Sequence, residues 1–289
     1  MFNMKLTALI LTLGFLTSCK ESAKVVLLVG DSWASFVCAH KSLNQALHKA
    51  GILDAEANQE CATTTKLGGE AQNWLDEKFH QAARLRLKDK SVKAVYLSLG
   101  GNDFLSHWNR KMTLEEEQIL FSQITDDTEA VLKVYRKQRP DLKILISAYD
   151  YPRFTENHPV ENYRKTYENM GKPSPFELNS AILRFSERMS ELADGKNVFY
   201  IQHYGLMHFY DGYEETNLAP QTTLSPDLIS PPENINQSGG DPHLPSDPQS
   251  LLHLGGGEHA VVDAFHLSQA GYDRLAEHAV LHYLKSWLK

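Results

Sequence analysis

Three cysteines in 289 residues are too few for a disulfide-built scaffold. A chain of this length needs none, because one large α/β domain buries enough apolar surface to hold itself together. Clusters of Lys and Arg are missing too. The net charge is -7 and the pI about 6.0, and phosphate binding requires grouped cations, so no nucleic-acid partner is expected. The apolar run from Leu6 to Leu16 is too short to span a bilayer as a permanent helix. There is no internal repeat and no sign of a second domain. After Gly30, the stretch Asp31-Ser32-Trp33-Ala34-Ser35 lacks the further glycines of a dinucleotide-binding turn. Gly255-Gly256-Gly257 follows no strand and carries no Lys-Ser/Thr, so it is no phosphate-binding loop. His203, His208, His243, His253 and His259 crowd one region without metal-ligand spacing or a cysteine partner. They read as solvated loop histidines, and neither metal nor cofactor is expected.

The N-terminus has Lys5, then the short apolar run, then Leu16-Thr17-Ser18-Cys19. A charged start, an apolar stretch and small residues before a cut read as an export signal. Leu-Thr-Ser-Cys resembles a bacterial lipobox, which implies cleavage after residue 18 and lipidation of Cys19. Residues 19–23 then form an anchored linker and 24–289 the folded domain. The resemblance, with Lys20 after the cysteine, implies a cell-envelope protein held by lipid in the outer membrane. Cys38 and Cys61 remain, an even number in an oxidising compartment. They are open to two readings, a disulfide or a pair of buried thiols.

Lys24–Val29 is a continuous apolar run ending at Gly30. Such a run without alternation reads as a strand buried on both faces. Similar runs lie at Ala94–Leu99, Lys143–Ala148 and Asn197–Ile201, with a weaker one near Ala55–Thr63. Helical spacing fills the gaps: Phe36 to Ala50 before Gly51, Ala71 to Ala82 around Trp74, a stretch behind the Thr113/Glu116 capping pair, another behind Ser174-Pro175-Phe176-Glu177, and Gln269 to Leu288. Alternating strands and helices predict a three-layer αβα sandwich on a parallel sheet, with ligands at the carboxyl ends of the strands. Between His203 and Val262, seven of twelve prolines gather. This predicts a long Pro/Gly-rich loop, placed to fold over that edge.

Chemistry-bearing residues stand where the predicted strands end. Ser32 in Gly30-Asp31-Ser32 follows the first strand, where its hydroxyl is exposed and its N–H is free for an oxyanion. A serine needs a base to become nucleophilic. Asp263 and His266, three apart before the last helix, suit a carboxylate that orients an imidazole. Gly68 and Gly69 precede the Trp74 helix and offer a backbone N–H. Asn102 in Gly100-Gly101-Asn102-Asp103 offers a side-chain amide donor. Aromatics gather near the expected mouth: Trp33, Phe104, Trp108, Tyr149, Tyr151, Tyr204, Phe209 and Tyr210. Of these, Trp33, Phe104 and Tyr149 are the candidate substrate contacts, able to stack on sugar rings or line an acyl groove.

In chain order, Gly-Asp-Ser at 30–32, a glycine at 68 or 69, Gly-x-Asn-Asp at 100–103 and Asp-x-x-His at 263–266, the four blocks resemble the SGNH/GDSL hydrolase family across Lys24–Lys289. The resemblance implies a flavodoxin-like sheet and metal-free hydrolysis of esters through an acyl-enzyme. Ser32 would be the nucleophile, His266 the base and Asp263 its partner. The oxyanion donors would be the N–H of Ser32, the Asn102 amide and a glycine N–H. Gly68 fits the family's second block best because Leu75 follows seven residues later; Gly69 is the alternative. Trp33 departs from the Leu of the family's name, which leaves the substrate pocket undefined. The expected partner is a small-molecule, glycan or lipid ester: small acyl esters such as acetylated carbohydrate, or longer chains as in a lipase, lysophospholipase or thioesterase. A non-catalytic surface binding protein on the same fold is the reading of another class.

Overall fold

The computed structural model describes residues 23–211, 241–255 and 260–289. The expected export signal, Cys19, nearly all of the linker and His259 lie outside the described residues, as do 212–240 of the proline-rich segment.

Five strands form one parallel sheet: β1 (Lys24–Gly30), β2 (Ala55–Ala57), β3 (Val92–Ser98), β4 (Lys143–Ser147) and β5 (Val198–Ile201), in the order β2-β1-β3-β4-β5. This is the doubly wound, flavodoxin-like order, and its switch point lies between β1 and β3. Every residue of β1 after Lys24 is buried, which is why its sequence is apolar without alternation. Leu28 pairs with Tyr96 and Gly30 with Ser98, so β1 and β3 end side by side.

Helices flank the sheet. In chain order they are α1 (Ser32–Ala39), α2 (Ser42–Lys49), α3 (Cys61–Thr64), α4 (Glu77–Arg86), α5 (Gly101–His107), α6 (Leu114–Gln138), α7 (Glu161–Asn169), α8 (Pro175–Ser190), α9 (Leu206–Asp211), α10 (Gln269–Ala279) and α11 (Lys285–Leu288). The capping pairs Thr113/Glu116 and Ser174/Glu177 start α6 and α8 reciprocally, with Pro175 in the first turn. The single helix expected over Phe36–Ala50 is two, because Lys41 adopts φ 57° and interrupts the right-handed helix. The Trp74 helix is likewise a 3-10 turn, Ala71–Leu75, followed by α4, which Asp76 caps by accepting the Lys78 N–H. The last helix runs on as expected, with a π-helical stretch at Val280–Leu284 between α10 and α11. A disulfide joins Cys38 of α1 to Cys61 of α3, with Cα atoms 5.7 Å apart.

The segment 203–262 is not all loop. Its described parts form α9, a 3-10 turn at Pro248–Ser250 and the strand β6 (Leu251–Leu254). β6 pairs antiparallel with β7 (Val261–Leu267), matching Leu251 with Leu267 and His253 with Val262. Hydrophobic residues of the segment supply the reason: Leu206, Phe209 and Leu251 are buried in the core.

Candidate active site

The nucleophile candidate stands on a turn that only glycine permits. Gly30 has φ 133°, and a Cβ there would lie 1.9 Å from the Ser98 carbonyl oxygen of β3. The close approach lets Asp31 donate its N–H to that same oxygen at 2.9 Å. Asp31 then caps α1 by accepting the Trp33 N–H at 3.0 Å, and also accepts the hydroxyls of Ser98 and Tyr149. Burial pushes the Asp31 carboxyl up to about 6, against these hydrogen bonds, which lower it. Ser32 opens α1, so its own N–H is one of the unpaired donors of a helix N-terminus.

β7 brings in the other two residues, His266 from 234 positions away in sequence. His266 Nε2 lies 2.8 Å from Ser32 Oγ, and His266 Nδ1 lies 3.2 Å from each Asp263 oxygen. The carboxylate places the imidazole proton on Nδ1, so Nε2 accepts the Ser32 hydroxyl hydrogen. Asp263 Oδ1 also accepts the N–H groups of Phe265 and His266, both at 2.7 Å. Tyr163 donates its hydroxyl to Oδ2. Burial would raise the Asp263 carboxyl, but the hydrogen bonds and charge of His266 and the Tyr163 bond outweigh it and hold it below the usual range.

Three neighbouring turns carry the donor candidates. Asn102 Nδ2 donates one hydrogen to the Gly69 carbonyl at 3.1 Å, which fixes the amide and leaves its second N–H for another acceptor. The Gly69 N–H is committed to the Lys66 carbonyl at 3.1 Å. Gly68, with φ 68°, has no acceptor for its N–H among the described residues. Of the two glycines, Gly68 is thus the one whose N–H is uncommitted.

The aromatic candidates are placed differently from expectation. Trp33 is 2%, Phe104 2% and Tyr149 4% exposed. Trp33 packs against Tyr149, Phe265 and Tyr272 at ring-centre distances of 5.2, 5.4 and 5.7 Å. Phe104 stacks on Trp108 at 5.3 Å. The Tyr149 ring lies so close to Gly101 that a Cβ there would meet it at 2.6 Å. Helical phase explains the inward turn of Trp33: it shares a buried face with Val37, four residues on. Trp108, Tyr151, Tyr204 and Phe209 are buried as well. An aromatic beside the triad that was not among the candidates is Phe36, one turn beyond Ser32, whose ring centre is 5.0 Å from that of His266. An i,i+4 count from Ser32 was the signal that would have found it.

The loop histidines also divide. His243 and His253 are exposed, but His203 and His208 are buried. His203 Nε2 lies 3.1 Å from Ser147 Oγ, and His208 Nε2 lies 2.8 Å from the Pro245 carbonyl. Desolvation lowers His203 to about 3, so it is neutral. Among the described residues, no three His, Cys, Asp or Glu side chains are grouped to hold a metal ion. Asp150 was missed in the sequence. Wholly buried, it accepts the N–H groups of Tyr151, Gly205 and Met207 at 2.7 Å, joining the exits of β4 and β5.

Residues 26–279 match the family model described as GDSL-like Lipase/Acylhydrolase. No curated protein matches the sequence. Among solved structures, the chain is similar to a Streptococcus pneumonia protein assigned provisionally as a platelet activating factor, at 14% identity and TM-score 0.51, over 94% of this chain and 87% of that one. It is similar to a Bacteroides fragilis protein assigned provisionally as an acylhydrolase, at 12% identity and TM-score 0.47, over 91% and 88%. A carbohydrate esterase family 3 protein from Talaromyces cellulolyticus gives 12% identity and TM-score 0.45, over 92% and 98%. At 14% identity the likeness to the first of these is one of fold alone.

Proposed function

The chain belongs to the GDSL-like lipase/acylhydrolase family, and from that premise we propose that it is a serine ester hydrolase in which Ser32 forms an acyl-enzyme. The observation that carries the assignment of roles is the unbroken line Ser32–His266–Asp263, at 2.8 and 3.2 Å. Ser32 Oγ attacks the acyl carbon while His266 Nε2 takes its proton. The developing oxyanion is met by the N–H groups of Ser32 and Gly68 and by the second N–H of Asn102. His266 then protonates the departing alcohol, and a water molecule, deprotonated in turn by His266, releases the acid. Asp263 keeps the imidazole in the right tautomer and stabilises its charged form.

For the substrate we infer small acyl esters, with acetylated carbohydrate as the leading class. The space beneath the N-terminus of α1 is filled by Trp33, Tyr149, Phe265 and Tyr272, a dense floor that supports a short acyl group over a long chain buried in the core. The polar character of the 203–262 segment supports the same reading. The lipobox-like Leu16-Thr17-Ser18-Cys19 supports placing the enzyme in the bacterial envelope, anchored by lipid on Cys19, with outer-membrane sorting inferred from Lys20.

The test is steady-state hydrolysis of p-nitrophenyl esters from acetate to palmitate by the mature chain, with Ser32→Ala as control. A Ser32-dependent rate that falls beyond short chains supports the small-acyl reading. A maximum at long chains replaces it with a lipase or lysophospholipase role. Wild-type turnover by Ser32→Ala removes Ser32 as nucleophile.

A further inference from the structure

The residues flanking Asp263 are held from one side by a single stretch of chain. Arg153 donates its backbone N–H to the Ala264 carbonyl at 2.7 Å. His158 Nδ1 accepts the Val160 N–H, which leaves the ring proton on Nε2 to be donated to the Val262 carbonyl at 2.9 Å. Between them, Tyr163 donates its hydroxyl to Asp263 Oδ2. Residues 262, 263 and 264 are therefore each gripped by the segment 153–163. The grip is itself braced: the Arg164 guanidinium donates to the His158 and Pro159 carbonyls at 2.7 and 3.0 Å. The Tyr163 ring sits edge-on to His158 at 4.9 Å and to Phe154 at 6.0 Å.

We propose that Tyr163 is a positioning residue for ester hydrolysis, acting through Asp263. A carboxylate facing an imidazole is free to rotate about its terminal torsion, and rotation changes both the distance and the plane of the Nδ1 contact. Backbone donors from Phe265 and His266 fix Oδ1. Tyr163 fixes Oδ2, and two anchored oxygens define the plane. Burial, then the hydrogen bond to Asp263 and the charge of that carboxylate, raise the Tyr163 phenol above its ordinary value, so it remains a donor throughout the working range of pH. Charge-assisted bonds of this kind are short and directional. The role rests on reading Ser32, His266 and Asp263 as the triad.

The test compares Tyr163→Phe, Asp263→Asn and the double variant, with Ser32→Ala alongside. Tyr163→Phe is expected to lower kcat about ten-fold, a typical consequence of losing one hydrogen bond to a charged group, with KM within about two-fold. Combined with Asp263→Asn, it lowers kcat no further, because a residue acting through Asp263 has nothing left to position. In Tyr163→Phe the downfield Nδ1–H proton resonance of His266 moves, which can be read without turnover. Wild-type kcat in Tyr163→Phe, an equal loss in both backgrounds, or an unmoved resonance overturns the proposal. Turnover surviving in Ser32→Ala is a different result: it overturns the triad reading itself.

Discussion

Asp103 on α5 accepts the backbone N–H of Ala71 with both carboxylate oxygens, at 2.9 and 3.1 Å. One residue earlier, Asn102 holds the Gly69 carbonyl. The turn after β3 thus grips the turn that carries Gly68 at two adjacent points. Two donor candidates from distant parts of the chain become one rigid unit, which matters because an oxyanion donor acts only where it is already aimed.

Asn102→Ala should lower kcat by about 100- to 1,000-fold, the usual result of deleting one oxyanion donor, and change KM little. Asp103→Ala should cost less, because the Asn102 amide remains while its support loosens. Steady-state kinetics on one ester would show the order; an Asp103→Ala loss exceeding that of Asn102→Ala would contradict it.

Trp33→Ala should destabilise the fold by about 3–5 kcal/mol, the range for emptying a large aromatic site. Thermal unfolding checks this. A substrate contact would behave otherwise, raising KM while leaving Tm in place.

Gly30→Ala should abolish soluble expression or lower Tm severely. The new methyl would lie 1.9 Å from the Ser98 carbonyl oxygen, and both partners are backbone of central strands, with no side chain to yield.

Replacing both Cys38 and Cys61 by Ser should cost about 3 kcal/mol, the loop-closure value for a bridge of this span. The bridge ties α1, which starts at Ser32, to α3, which leads to Gly68. Reductant should therefore lower the Tm of the wild type and leave that of the double variant unchanged.

The pH dependence of stability should carry the mark of Asp31. Its carboxyl is raised from 3.8 to about 6 by burial, so the native state holds that proton more tightly than the unfolded chain. The resulting stabilisation is fully present below pH 3.8 and is lost as pH rises through 6, by at most about 3 kcal/mol. Asp31→Asn retains an acceptor for Trp33 and Ser98 and does not titrate. Its Tm relative to wild type should climb between those pH values and level off above them.

Much of this was legible in the chain as written. Unbroken apolar runs announced β1, β3, β4 and β5, because strands covered on both faces have no solvent side to encode. Gly30-Asp31-Ser32 was legible because a helix cap is built by residues a few positions apart, and Asp263-x-x-His266 because Asp263 Oδ1 reaches the backbone and ring of residues just after it in the chain. Helix caps were readable for the same local reason, as at Thr113 and Ser174. The aromatic candidates were misplaced because a sequence names a ring without saying which way it points. Trp33 follows Ser32 directly, and only helical phase against Tyr149, Phe265 and Tyr272 sends it inward. Prolines made 203–262 look like loop, yet β6 found a partner in β7, and no pattern within β6 itself predicts a pairing made elsewhere.

The sequence by itself determined the parallel sheet, the residues at its carboxyl edge and the family's order of motifs, since each depends on short-range chemistry. Tertiary structure alone decided that Cys38 meets Cys61, that Gly68 rather than Gly69 keeps a free N–H, that Phe36 stands beside His266 and that Tyr163 reaches Asp263. Each of these is a meeting of groups brought together by packing, and a one-dimensional string carries no term for the distance between them.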